Sequence, residues 1–280
     1  MTVVSWEDKT SMAPNAPSFL ALRWLGGVLF GCAIAGCSVQ RPVPVWELDD
    51  VVVDAAESAQ LRARIAQRAD DVTSFRGLFQ VDVRRGDDRA AFRQAVVFIR
   101  PDRLRIEALP SQGALTLNLF VSNRGSVVSL EPAEKKAFEG PASTAIFRRF
   151  LKLPFREGEI MALVTGRVEV GRLDALSEVR CGPRECSVVS AEERYRYRFD
   201  RLTGEIRSVR IRDPLQGKAR IEVRYSDYAA VGAVRIPRAI ALVLPNDGIE
   251  IDMTGQMLAI NQPIPDRLFE VAIPTDYTRR

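Results

Sequence analysis

The chain has 280 residues, with 40 Lys and Arg against 36 Asp and Glu, a formal net charge of +4 and no histidine. Without histidine there is no Ser-His-Asp or Cys-His catalysis, no histidine metal site and no ordinary general base near neutral pH. The mild basic excess is not a nucleic-acid footprint, neither Gly-rich phosphate-loop pattern occurs, and no carboxylate pair stands out for glycosidase chemistry. The expectation is a protein that is not an enzyme and needs no metal or cofactor.

In chain order, Trp24 to Ala35 carries no charge and follows Arg23. About a dozen residues are too few to cross a bilayer core, which takes ~20, but they suit the apolar centre of a secretory signal. Either Met1 or Met12 can serve as the start. The run ends in Ile34-Ala35-Gly36-Cys37, which resembles the lipobox of bacterial lipoproteins. That resemblance implies cleavage between Gly36 and Cys37, acylation of Cys37, and membrane lipid as a partner. The other readings are an unlipidated signal peptide and an N-terminal core helix ending in Gly-Cys. On the lipobox reading, residues 1–36 are a signal peptide and 37–50 a lipidated N-terminus with a proline-containing tether. Residues 51–280 are then one domain with a sizeable core.

A helix is expected from Val51 to about Ala69, capped by Asp49 or Asp50. It has one stripe of Val52, Ala55, Ala59, Ala63 and Ala66, and Leu61 and Ile65 on nearly the opposite side. Alternation then predicts strands: Phe75-Gly77-Phe79-Val81-Val83, Phe92-Gln94-Val96-Phe98, Leu104-Ile106-Ala108 and Leu115-Leu117-Leu119-Val121, followed by a hairpin around Pro132. Ser143 to Leu153 and Glu157 to Val164 read as two short helices, the second stopped near Gly166. A second meander follows, with turns at Leu202-Thr203-Gly204 and Asn246-Asp247-Gly248. Together these predict a mainly β (α+β) domain. It is a strongly curved antiparallel half-barrel of about eleven strands with helices packed over its concave face.

Cys32 would leave with the signal, which leaves Cys181 and Cys186 on either side of a four-residue Gly-Pro loop. Cysteines so placed can face each other across a hairpin and form a disulfide in an oxidising compartment. The alternative is a metal half-site, although two thiols do not fill a tetrahedral zinc shell. A stripe of arginines (Arg194, Arg196, Arg198, Arg210, Arg212, Arg220, Arg224) reads either as an anion-binding face or as a solvated face balanced by Glu192, Glu193, Glu205 and Glu222.

Several stretches carry a wider resemblance: Arg100-Pro101-Asp102-Arg103-Leu104-Arg105-Ile106-Glu107, Phe155 to Gly166 (FREGEIMALVTG), and Pro265-Asp266-Arg267-Leu268-Phe269, read as a closing strand. They resemble the LolA/LolB-like superfamily of envelope lipoprotein carriers and receptors, over roughly Asp70 to Pro274. The resemblance implies a half-open barrel around an apolar cavity that binds lipoprotein acyl chains or other lipids. With Cys37 it points to the lipid-anchored receptor branch, at the outer membrane and facing the periplasm. It also implies an exposed apolar residue on a strand-connecting loop, here Leu109 or Leu115. The inward candidates for ligand contact are Phe79, Val81, Phe98, Leu117, Leu119, Phe147, Phe150, Tyr197, Ile221 and Ile251. The alternative function is a structural or interaction lipoprotein that partners an envelope assembly or export machine.

Overall fold

The computed structural model describes residues 51–113, 115–151, 155–169, 176–190, 194–212 and 219–279, apart from the side chains of 176–178 and 219. The signal segment, Gly36, Cys37 and the tether lie outside the described residues. Asp49–Arg280 forms one compact unit, and its core is built from its own residues, as in a unit that folds by itself.

The described residues build one open, curved sheet of fifteen strands with three α-helices. A two-residue strand β1 (Val51–Val52) precedes helix α1 (Ala55–Asp70). The first meander is β2 (Ser74–Arg85), β3 (Asp88–Ile99), β4 (Arg103–Pro110), β5 (Asn118–Asn123), β6 (Ser126–Glu131) and β7 (Lys136–Pro141). Helices α2 (Thr144–Leu151) and α3 (Glu157–Thr165) follow. The second meander is β8 (Leu176–Cys181), β9 (Glu185–Ser190), β10 (Tyr195–Asp200), β11 (Ile206–Arg212), β12 (Ala219–Val231), β13 (Val234–Leu244) and β14 (Ile249–Ile260), and a two-residue β15 (Thr278–Arg279) lies near the C-terminus. The last strand of the second meander, β14, pairs with the first of the other, β2. The sheet therefore runs without a break from β1 at one edge to β15 at the other. Among the described residues every strand pair is antiparallel except β15 beside β7.

Fifteen strands replace the expected eleven. The two-residue β1 and β15 offer no alternation to read. The helix also starts later than expected: Asp54, not Asp49 or Asp50, caps it, its side chain accepting from the Glu57 amide at 2.8 Å. Its buried face is Leu61, Ile65 and Ala69, while Ala55, Ala59 and Ala63 are exposed. The larger side chains won because each buried Leu or Ile is worth ~1.5–3 kcal/mol and an alanine offers little area. The segment Asp266–Phe269 is a 3-10 turn rather than a closing strand.

The main core lies between one face of the sheet and the helices. Phe75, Phe79 and Phe98 stack there, with ring centroids 5.4 Å apart for Phe75–Phe98 and 6.2 Å for Phe75–Phe79. Gly77 leaves room for this stack, since a Cβ there would meet the Phe75 ring at 2.5 Å. A second cluster occupies the other face, where Leu119, Val121, Leu130 and Ala137 pack under Phe269 of the C-terminal segment.

Cys181 and Cys186 face each other in the β8–β9 register and are joined by a disulfide. The enclosed loop is short, so the Cys181→Ser/Cys186→Ser double variant should lose only about 2 kcal/mol. Urea denaturation of oxidised wild type against the variant checks this figure.

Candidate functional site: an apolar cavity beneath α3

A cavity of about 210 Å³ lies between α3, the end of α2 and the strands β13, β14, β2, β3 and β4. Val81, Val83, Phe92 and Val96 line it from β2 and β3, and Leu242, Leu244, Ile251 and Met253 from β13 and β14. Leu151, Ile160, Leu163 and Val164 close it from the helices. Among its lining residues Gln94 alone is polar. The wall is apolar because strand residues two apart share a face, and the long central strands present that face in register: Val81 pairs with Phe92 and Met253, and Ile251 with Val83 and Leu242.

Of the ten anticipated contact residues, Val81 and Ile251 line this cavity. Phe79, Phe98, Phe147 and Ile221 are buried in the main core, with Phe150 packed against it. Tyr197 lines a separate pocket of about 40 Å³ beside Glu159, Arg167 and Tyr225. Leu119 is a correction. It faces the second cluster, and its neighbour Phe120 points into the main core against Phe147, 5.1 Å between centroids. Leu117 is only half-buried and precedes β5, which starts at Asn118 rather than Leu115. Phe92 and Val96 share the strand face already read from the sequence, and that shared face was the available signal for them.

Helix α3 is held differently at its two ends. At the C-terminal end Gly166 adopts φ 64°, and the Arg167 side chain that follows is fully buried. Its guanidinium donates to both Asp71 carboxylate oxygens at 2.9 Å, to the Thr165 carbonyl at 2.7 Å and to the Arg235 carbonyl at 3.0 Å. At the N-terminal end the Arg156 amide donates to Glu159 Oε2 at 2.6 Å, and the Tyr195 hydroxyl donates to Glu159 Oε1.

Also at that end, Glu157 Oε1 is buried without a hydrogen-bond partner among the described residues. Burial pushes the Glu157 carboxyl up to about 7; the Ser122 hydroxyl opposes the shift and Asp102 adds to it. In the unfolded chain the group titrates near its ordinary 4.5. Between 4.5 and about 7 the unfolded state therefore ionises first, and stability falls as pH rises through that window. Denaturation midpoints across the window should show this decline in wild type and a flatter profile in Glu157→Gln.

Among the described residues no group of three or more acidic or cysteine side chains is placed to hold a metal. No helix among them is long and apolar enough to cross a membrane.

No family model and no curated protein matches the sequence. Solved structures do match. A DUF1329 family protein from Desulfovibrio piger superposes with a TM-score of 0.55 at 14% identity, over 78% of this chain and 98% of that one. A LolA superfamily protein from Nitrosomonas europaea superposes with a TM-score of 0.52 at 9% identity, over 76% of this chain and 97% of that one. The fold is LolA/LolB-like. Identities this low establish the fold and nothing finer. Within this LolA/LolB-like fold, the loop between β4 and β5 carries Leu115 at 84% exposure, while Leu109 lies within β4 opposite Arg93.

Proposed function

We propose that this is a lipid-anchored envelope protein that holds acyl chains without any covalent step and acts in lipoprotein localisation or lipid transfer at the outer membrane. The observation that carries the reading is the cavity of about 210 Å³ with a single polar side chain in its wall. Acyl chains offer nothing to hydrogen-bond, so such a wall suits them and suits polar substrates badly. The volume exceeds that of the ~150 Å³ apolar cavity that stays dry and accepts benzene.

At roughly 30 Å³ per small group, the space takes on the order of seven methylenes, worth ~0.8 kcal/mol each. The LolA/LolB-like fold supports the reading. The sequence at Cys37 supports attachment from the periplasmic side, and exposed Leu115 supports the receptor-like variant, which carries an exposed apolar residue on this loop.

Native mass spectrometry of gently purified protein tests the ligand: co-purified lipid or lipoprotein is expected. One stoichiometric protein partner with no lipid would favour the interaction-lipoprotein alternative. Palmitate labelling should disappear in Cys37→Ser, and labelling that persists refutes that anchor.

A further inference from the structure

The pocket of about 40 Å³ beside the apolar cavity differs from it in kind, because Glu159, Arg167, Glu169, Tyr195, Tyr197 and Tyr225 all border it. Several of these polar groups are engaged within the protein. The Tyr195 hydroxyl donates to Glu159, which also accepts from the Arg156 amide at 2.6 Å. The Arg167 guanidinium is committed to Asp71 and to the Thr165 and Arg235 carbonyls. Tyr225 is not engaged. It is 5% exposed, and its hydroxyl has no hydrogen-bond partner among the described residues. A buried tyrosine hydroxyl ordinarily finds one. Burial also pushes this phenol far above its ordinary range, so it stays a protonated donor.

Two cross-strand rows join the pocket to the cavity. Tyr225 is followed across the sheet by Ile240, Met253, Val81 and Phe92. Tyr197 is followed by Val209, Val223, Leu242 and Ile251. Each row starts in the pocket wall and ends in the cavity wall, and Phe155 and Leu163 border both spaces. At ~4.8 Å per strand, Tyr225 stands ~10 Å from Met253 and ~14 Å from Val81, a span that one acyl chain covers.

At roughly 30 Å³ per small group, the pocket has room for one such group. A carboxylate buried there would need a cation to pair with. Arg167 is the only cation that borders the space among the described residues, and Asp71 already holds it. A carbonyl or hydroxyl oxygen needs only a donor. We propose that the pocket is the polar subsite of the acyl-chain cavity, where the Tyr225 hydroxyl donates to an uncharged ester carbonyl or alcohol oxygen of the ligand. Acyl esters and fatty alcohols are then taken in preference to free fatty acids. The inference rests on acyl-chain binding in the cavity and goes beyond it by naming the head group.

The test is competition against an uncharged naphthylamine probe bound to residues 38–280, with decanoate, methyl decanoate and decanol, at a pH where decanoate is ionised. The ester and the alcohol should compete at lower concentrations than decanoate. Tyr225→Phe should narrow that difference about 5-fold, which corresponds to the ~1 kcal/mol of one neutral hydrogen bond. Tyr228→Phe removes a hydroxyl that donates to the Ile206 carbonyl at 2.7 Å and should leave the difference unchanged. Val81→Phe should weaken all three ligands together. A difference that Tyr225→Phe leaves intact means that the pocket holds water only and overturns the inference, as does equal narrowing by Tyr228→Phe. In either case weakening by Val81→Phe keeps the cavity reading standing, whereas no competition by any of the three ligands refutes both.

Discussion

Replacing Arg167 with alanine should cost the fold about 3–5 kcal/mol, the usual price of leaving one partner of a buried ion pair uncompensated. The side chain is fully buried and joins three elements: Asp71 at the end of α1, Thr165 at the end of α3 and Arg235 in β13. Its removal strands the Asp71 carboxylate and the Thr165 carbonyl oxygen. Arg68 also donates to the Arg235 carbonyl at 3.1 Å, so one of the three acceptors keeps a partner. Arg167→Lys should recover only part of the loss, because an ammonium cannot reproduce the paired geometry on Asp71. Urea denaturation measures the effect as a lower midpoint at unchanged slope. A domain with 5–15 kcal/mol in hand would be left close to unfolding, and a loss below about 1 kcal/mol would contradict the anchoring role.

Val81→Phe should weaken acyl-chain binding about 100-fold. Val81 is 1% exposed and lines the cavity at the middle of β2. A phenyl ring in its place takes the room of roughly four methylenes, worth about 3 kcal/mol of transfer free energy. Because it grows into empty space, the substitution should cost less than the 1–3 kcal/mol typical of overpacking. Leu119→Ala gives the opposite pattern. It should destabilise the fold by about 2–5 kcal/mol and leave affinity unchanged, because Leu119 packs on the other face of the sheet under Phe269. Fluorescence titration with a fatty-acid probe, alongside thermal denaturation, distinguishes the two variants.

That contrast shows which features the sequence made legible. Strands β2 and β3 could be read because each has one apolar face, Phe75-Phe79-Val81 against Arg76-Gln80-Asp82. Strand β5 could not, because Leu119-Phe120-Val121 is apolar on both sides. The C-terminal segment covers the outer face there, and a strand covered on both faces loses its period of two. Helix α1 was ambiguous because alanine marks a stripe without driving burial.

The cavity was legible only as a surplus of apolar residues on one sheet face. Phe79 and Val81 are neighbours on that face, yet Phe79 fills the core and Val81 lines the space. What separates them is where α3 stands away from the sheet. That is set by Gly166 and Arg167 with Asp71, which lies 96 residues from Arg167 in sequence, and none of these alternates with anything.

Whether the cavity takes an acyl chain decides the proposed function. The direct measurement is equilibrium titration of residues 38–280 with a fluorescent fatty acid, with palmitate as competitor. Saturable binding near one ligand per chain, displaced by palmitate and weakened by Val81→Phe, is the predicted result. No saturable binding, or binding that Val81→Phe leaves unchanged, would contradict it.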